Sequence, residues 1–394
     1  MMFNRNPPYS VEEKNEQLKR YEPFIDLFDD KIFVSLSEWD GKNFIGHVES
    51  TINNAINYLN SKIQNEKYCC ISNAIIPQIV KYYKDFPEIF SLVLEGKRSQ
   101  AFRKLTEEIM SKIGMAFTTF RQFTHRLDSD NESDYVFRMR YEKNVYQTNF
   151  KPLDLFHVPF EKRHLIGNNR FSLSGLPCLY FGSSIYCCWE EMNRPNLDYC
   201  FTSRFDLTGH HFIDLSRNSH DISNSLKMIY ESLKASNEIL PEDAVKIFEY
   251  LIDDYLRIWP LIFCSSIKTV HHEAVFKPEY IFPQLLLEWL ISDDHNLYDG
   301  IKFNSTKEPL LEGRFELPIR DNMINYVIPA RIVKNEGYCK ESLQKIAVSE
   351  PINLLIEKLA NNINGTGVGT HLYKESIFGQ LESILENKEL KKST

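Results

Sequence analysis

The first third of the chain is patterned at helical spacing. Ile45, Val48, Ile52, Ile56, Leu59 and Ile63 recur every three or four residues. At 3.6 residues per turn that spacing lines them along one face. Phe102, Leu105, Ile109, Ile113 and Phe117 repeat the pattern and predict a helix over 99–117, and a shorter helix is expected over 74–83. Ser10, with Glu13 three residues on, reads as a capping box that opens a first helix. No catalytic motif precedes residue 125, so this part reads as a helical packing or partner-binding domain.

The stretch 128–134, Asp-Ser-Asp-Asn-Glu-Ser-Asp, has no apolar anchor and reads as a linker. Beyond it the period changes. Tyr135-Val-Phe-Arg-Met-Arg140 alternates as a strand does, and Cys178–Phe181, Phe212–Leu215 and Gly300–Phe303 read as short buried strands. Helical patterns lie between them at 184–192, 241–258 and 282–291. Strands mixed with helices in this way predict an α/β or α+β domain that ends near Val333. The remainder reads as helical at 351–362 and from 374 to 385. Between these, Gly365-Thr-Gly-Val-Gly-Thr370 does not match a dinucleotide-binding glycine loop and follows no strand, so a plain connection is expected. The predicted organisation is a helical domain over 1–127, a mixed domain over 135–335 and a helical extension over 336–394.

Composition narrows the function classes. The 394 residues are 43% hydrophobic and 25% charged, with 27 Phe, 20 Tyr and only 15 Gly, which describes a well-packed globular chain. The net charge of −8 argues against non-specific nucleic-acid binding, which needs a basic field. The eight cysteines include two adjacent pairs and no CxxC, so no disulfide framework is expected. With no secretory pattern at the N-terminus, a reducing, cytoplasmic setting is expected. The apolar run 258–267 contains Pro260 and is too short to span a bilayer.

Candidate chemistry concentrates between Arg138 and Glu191, a stretch that also holds Arg140, Arg163, Arg170 and Tyr180. Arg170 leads into a turn imposed by Gly175 and Pro177 and is placed to hold an anion by paired hydrogen bonds. Tyr180 on the following strand reads either as a core aromatic or as a ring packed on a ligand. Glu190 and Glu191 follow the apolar run Ile185–Trp189. Neighbouring helix residues point about 100° apart, so the two carboxylates cannot face one pocket equally. Ser305 ends the 300–306 strand and either caps a turn or positions a ligand hydroxyl; no nucleophile elbow surrounds it. The pairs His210-His211 and His271-His272 lack the spacing of a metal motif, so no metal is expected.

Taken together these segments resemble the RES-domain family. The matching text is Phe137-Arg-Met-Arg140, then Arg170 to Tyr180, then Ser184 to Glu191, then Gly300-Ile-Lys-Phe-Asn-Ser305. Where the family commonly has Gly-Gly-Arg-Trp-Asn, this chain has Asn168-Asn-Arg-Phe-Ser172. The resemblance covers about 135–335 and implies an α+β fold with a mixed sheet core like that of ADP-ribosyltransferase toxins. It implies NAD as substrate, cleaved at the nicotinamide–ribose bond by phosphorolysis or hydrolysis, with inorganic phosphate as a candidate co-substrate. Arg138, Glu191 and Ser305 would act in catalysis, and Arg170, Tyr180, Arg140 and Glu190 in substrate binding. The choices between Arg138 and Arg140, and between Glu190 and Glu191, stay open. The implied setting is a toxin or defence effector paired with a helix-turn-helix antitoxin, with self-association allowed. Transfer of ADP-ribose to a protein, or a non-catalytic interaction role, are the alternatives.

Overall fold

The computed structural model describes residues 11–28, 31–63, 75–113, 135–143, 150–235, 242–292, 297–310, 323–363 and 372–392. Ser10, Phe117, the 128–134 stretch and the 365–370 glycine loop lie outside them. The chain forms two compact units, each built from two separate stretches: Met1–Ser129 with Arg217–Leu285, and Asp130–Ser216 with Leu286–Thr394. This differs from the three consecutive segments expected above. Residues 217–285 leave the 135–335 stretch to join the N-terminal helices, and 336–394 is part of the sheet-bearing unit.

The first unit is helical. Its N-terminal helices are α1 (Val11–Ile25), α2 (Phe44–Ile63), α3 (Ile76–Tyr83), α4 (Asp85–Leu94), α5 (Arg98–Lys104) and α6 (Ser111–Ile113), with a π-helical turn at Leu105–Met110 joining the last two. The predicted stripe on α2 turns inward at Val48, Ile52, Ile56 and Leu59. The later stretch adds α7 (Ser219–Ala235) and α8 (Glu242–Ser265). Aromatic rings tie the two stretches together: Phe28 meets Tyr255 at 5.0 Å, and Phe33 and Tyr83 each meet Trp259 at 5.3 Å.

Helix α8 runs seven residues past the predicted end at 258, through Pro260. A proline has no N–H, so the carbonyl four residues earlier loses its helical partner. Here that carbonyl belongs to Leu256, and it accepts from the Tyr83 hydroxyl at 2.8 Å; Tyr82 does the same for the Arg257 carbonyl at 3.0 Å. The hydroxyls satisfy the buried backbone and let the helix continue.

The second unit carries a nine-stranded sheet in the order β4-β5-β6-β2-β1-β3-β7-β9, with β8 also on β3. The strands are β1 (Tyr135–Tyr141), β2 (Cys178–Gly182), β3 (Cys200–Asp206), β4 (Phe212–Leu215), β5 (Gly300–Asn304), β6 (Ile324–Pro329), β7 (Ala347–Ser349), β8 (Ile352–Asn353) and β9 (Leu390–Lys392). All pairings are antiparallel except β4 with β5. The unit is therefore mixed α+β. The 336–394 stretch, expected to be helical, supplies β7, β8 and β9 as well as α9 (Lys340–Lys345), α10 (Leu354–Ala360) and α11 (Ile377–Glu386). Its short strands of two or three residues pair onto β3 and one another, and segments so short carry no readable period.

Pairing is uneven across the sheet. β1 matches β3 along its whole length, from Tyr135↔Asp206 to Tyr141↔Cys200, and β2 matches β6 from Cys178↔Pro329 to Gly182↔Asn325. Between β1 and β2 the register holds only at Phe137↔Gly182. The sheet is thus two well-paired halves joined by a seam, and backbone groups along the seam need other partners. The helix α12 (Ile185–Glu191) covers one face, packing Ile185, Tyr186, Cys187 and Cys188 against Phe137, Met139 and the C-terminal Phe378, Leu381 and Leu385.

Candidate active site

The turn after Arg170 forms as its residues require. Gly175 takes φ +77°, a left-handed conformation that an L side chain resists, and Leu176 N closes the turn on the Leu173 carbonyl at 3.0 Å. Ser172 clips the start of the loop through its hydroxyl, which donates to the Asn169 carbonyl and accepts from the Asn169 amide, each at 2.9 Å. The loop is anchored to β2 by the Tyr180 hydroxyl, which donates to the Phe171 carbonyl. Arg170 is not a surface arginine: it is 8% exposed, and its Nη2 donates to Thr306 Oγ1 at 3.2 Å.

Across the sheet, Gly182, Asn325 and Phe303 stand in register on β2, β6 and β5, and so do Tyr180, Val327 and Ile301. Cross-strand partners share a face, and this face meets α12. Glu191, at the end of α12, reaches it. Its Oε1 accepts from Ser305 Oγ at 2.5 Å and from Asn325 Nδ2 at 2.7 Å. Ser305 is buried and in turn accepts from the Lys307 amide at 3.1 Å. No described residue hydrogen-bonds Glu191 Oε2, and the residue is partly exposed.

Arg138 lies in the seam. Its Nη1 donates to the Tyr180 carbonyl at 2.8 Å, while Cys188 Sγ donates to the Phe137 carbonyl at 3.2 Å. Side chains here replace the missing ladder bonds. Burial lowers the Arg138 guanidinium to about 10, so it stays charged at neutral pH. Burial pushes Cys178 and Cys188 up to about 12, so both are thiols.

Ser305, Asn325 and Glu191 thus form one hydrogen-bonded cluster, with Arg170 on Thr306 beside it and Arg138 on the carbonyl of Tyr180, whose hydroxyl anchors the loop of Arg170. Arg140 and Glu190 stand apart from it. Arg140 is exposed, donates to the Asp154 carbonyl at 3.0 Å and sits over the Phe150 ring at 5.1 Å. Glu190 is 1% exposed and fully engaged: its Oε2 accepts from Arg194 Nε at 2.6 Å, and its Oε1 from the Leu310 amide at 2.9 Å and the Tyr186 hydroxyl. That carboxylate is spent on tying α12 to the 305–310 loop. Arg163 donates to the Lys334 carbonyl at 3.1 Å.

The end of α12 is held by unusual backbone. Asn193 and Arg194 take φ +61° and +59°, which costs of order 1 kcal/mol or more per non-glycine residue. Arg194 bridges Glu190 to the Glu308 carbonyl at 2.8 Å, and Lys307 Nζ donates to Asn193 Oδ1 at 2.7 Å. The other end is capped twice, by Ser184 Oγ on the Cys187 amide at 2.9 Å and by Glu382 Oε1 on the Ile185 amide at 2.7 Å. Burial raises the Glu382 carboxyl to about 7.

Asn325, Thr306 and Glu382 were not singled out from sequence. Asn325 left a signal: an amide near the start of the largely apolar run Ile324–Pro329, where a buried polar group must find partners. Glu382 left none, since it reaches α12 across 197 residues. His210 Nδ1 lies 3.1 Å from the Leu207 carbonyl, and His271 Nε2 lies 3.0 Å from the Gly41 carbonyl in the first unit. Among the described residues, no three His, Cys, Asp or Glu gather as metal ligands, and no helix is long and apolar enough to cross a membrane.

No family model matches the chain, and no solved structure matches it. A Bacillus subtilis (strain 168) protein named "Putative toxin YopC" is 29% identical over 333 residues, covering 84% of this chain and 70% of that protein. A match of that length reaches beyond 135–335 into the flanking stretches.

Proposed function

We propose that this chain is an NAD-degrading enzyme that breaks the nicotinamide–ribose bond by phosphorolysis or hydrolysis and acts as a toxin or defence effector. One observation carries the reading. Glu191 is anchored by Ser305 and Asn325, the buried Arg170 reaches Thr306 next to that Ser305, and the half-buried Arg138 reaches the carbonyl of Tyr180, whose hydroxyl holds the loop that carries Arg170. The name of the Bacillus relative supports a toxin role, and a helix-turn-helix antitoxin is the partner such a role calls for.

The chemistry suits those groups. The nicotinamide of NAD is a cationic leaving group. As the bond breaks, its electron pair goes to the ring nitrogen, nicotinamide departs neutral, and the ribose becomes oxocarbenium-like. Little acid catalysis is needed. The diphosphate must be held, the ribose fixed, and negative charge kept near the developing cation. Arg138 and Arg170 would hold phosphate oxygens, Glu191 Oε2 would take ribose hydroxyls and stabilise the cation, and Ser305 would keep the carboxylate in place. Water then gives ADP-ribose and a proton, and hydrogen phosphate gives ADP-ribose 1-phosphate.

The test is incubation of the purified chain with NAD, with and without inorganic phosphate, followed by mass spectrometry. Nicotinamide release is expected, and the second product identifies the nucleophile. A requirement for an added protein would instead point to ADP-ribosyl transfer. No nicotinamide under any of these conditions would sink the proposal.

A further inference from the structure

The carboxylate that the proposed reaction depends on is not held by Ser305 alone. Asn325 is 7% exposed, and its two amide ends have different partners: Nδ2 donates to Glu191 Oε1 at 2.7 Å, and Oδ1 accepts from Cys187 Sγ at 3.4 Å. Cys187 is fully buried, and burial pushes its pKa well above the ordinary thiol value. It therefore remains a donor at neutral pH. Cys187 and Glu191 sit on the same helix, one turn apart (i, i+4), so both meet the strand residue from one face. An amide can be flipped end for end at little steric cost. Here the carboxylate, which can only accept, requires Nδ2 on its side and leaves Oδ1 to the thiol, whose Sγ also lies 3.7 Å from the Ile324 carbonyl.

From this geometry, and resting on the reading of Glu191 given above, we infer that Asn325 is a positioning residue. It fixes Glu191 Oε1 so that Oε2 faces the substrate, and the Cys187 thiol fixes Asn325 in turn. No motif read from the sequence includes Asn325, and none gives Cys187 a role. The arrangement explains why both donors converge on one oxygen: Ser305 and Asn325 saturate Oε1 and leave Oε2 with no hydrogen bond from any described residue. Gly182, in register with Asn325, makes room for this, because a Cβ there would lie 2.9 Å from Cys188 Sγ and 3.1 Å from Cys187 Cβ.

Two measurements on the full chain separate this inference from the reading it rests on. The first needs no substrate. Melting temperatures of Asn325→Ala, Glu191→Ala and the double variant should be non-additive, the double variant losing clearly less than the sum of the singles. Additive losses would overturn the contact whatever the chain does to NAD. The second is steady-state kinetics. Asn325→Ala should lower kcat by about 100-fold, the scale of a misplaced reacting group, with KM within about threefold. Cys187→Ser, which keeps a donor, should retain most of the kcat that Cys187→Ala loses. Equal losses in the Ser and Ala variants, or a loss confined to KM, would overturn the positioning role. A wild-type chain that leaves NAD intact would defeat the NAD reading, and the melting cycle would then decide the inference by itself.

Discussion

Replacing Glu190 by alanine should damage the fold far more than replacing its neighbour Glu191 by glutamine. Glu190 is 1% exposed and receives Arg194, Leu310 N and Tyr186. Removing the carboxylate takes an acceptor from the fully buried Tyr186 hydroxyl, at about 2 kcal/mol, and from the Leu310 amide, at about 1 kcal/mol. The cavity adds about 1 kcal/mol. Arg194 contributes little, because its side chain is 39% exposed and can rehydrate. The sum is about 4 kcal/mol, or roughly 8–16 °C in melting temperature for a unit of this size. Calorimetry of the full chain is the suitable assay, because two units can give two transitions. Glu191→Gln keeps the side-chain shape and should shift the same transition by no more than about 3 °C. A Glu190→Ala chain that melts within about 2 °C of wild type would refute the assignment of Glu190 to structure.

Gly182→Ala should push α12 off β2, since the new Cβ would also lie 3.1 Å from the Cys188 amide nitrogen. Overpacking of this kind costs about 1–3 kcal/mol, and NAD turnover should fall about tenfold or more as Glu191 shifts; unchanged melting and turnover would contradict the packing described. In the first unit, burial raises Asp254 to about 7, and its Oδ2 has no hydrogen-bond partner among the described residues. A raised carboxyl pKa means the folded chain binds the extra proton, so stability falls as pH rises from about 4 through about 7. Asp254→Asn should therefore be more stable than wild type at pH 8, by on the order of 3 kcal/mol, with the gap closing toward pH 4; denaturant melts at both pH values check the sign.

The parts of the fold that the sequence disclosed are those with one clean period. The α2 stripe buries one face, and its spacing says so; β1 was legible from its alternation and Phe212–Leu215 from its apolar run, although Val136 and Phe137 bury both faces of β1. β3 was not legible because six of its seven residues are buried, which removes alternation. Pro260 argued for a helix end, and only the distant Tyr83 hydroxyl cancels that argument. The division into units was hidden because 217–285 folds with residues a hundred or more positions earlier. In the candidate site, the motif residues carried the spacing by which they could be grouped. The choice between Glu190 and Glu191 depended on which way α12 rolls onto the sheet, and that is set by Gly182 and the C-terminal Phe378, outside any local pattern. Asn325 and Glu382 belong to elements that no motif spans.

Release of nicotinamide by the wild-type chain and by Glu191→Gln, measured side by side on proteins shown by calorimetry to melt alike, tests the proposed site most directly. Release by the wild type, and a loss of at least about 100-fold in the variant, is the expected result. Equal release by both proteins would contradict the role given to Glu191 and, with it, the proposed site.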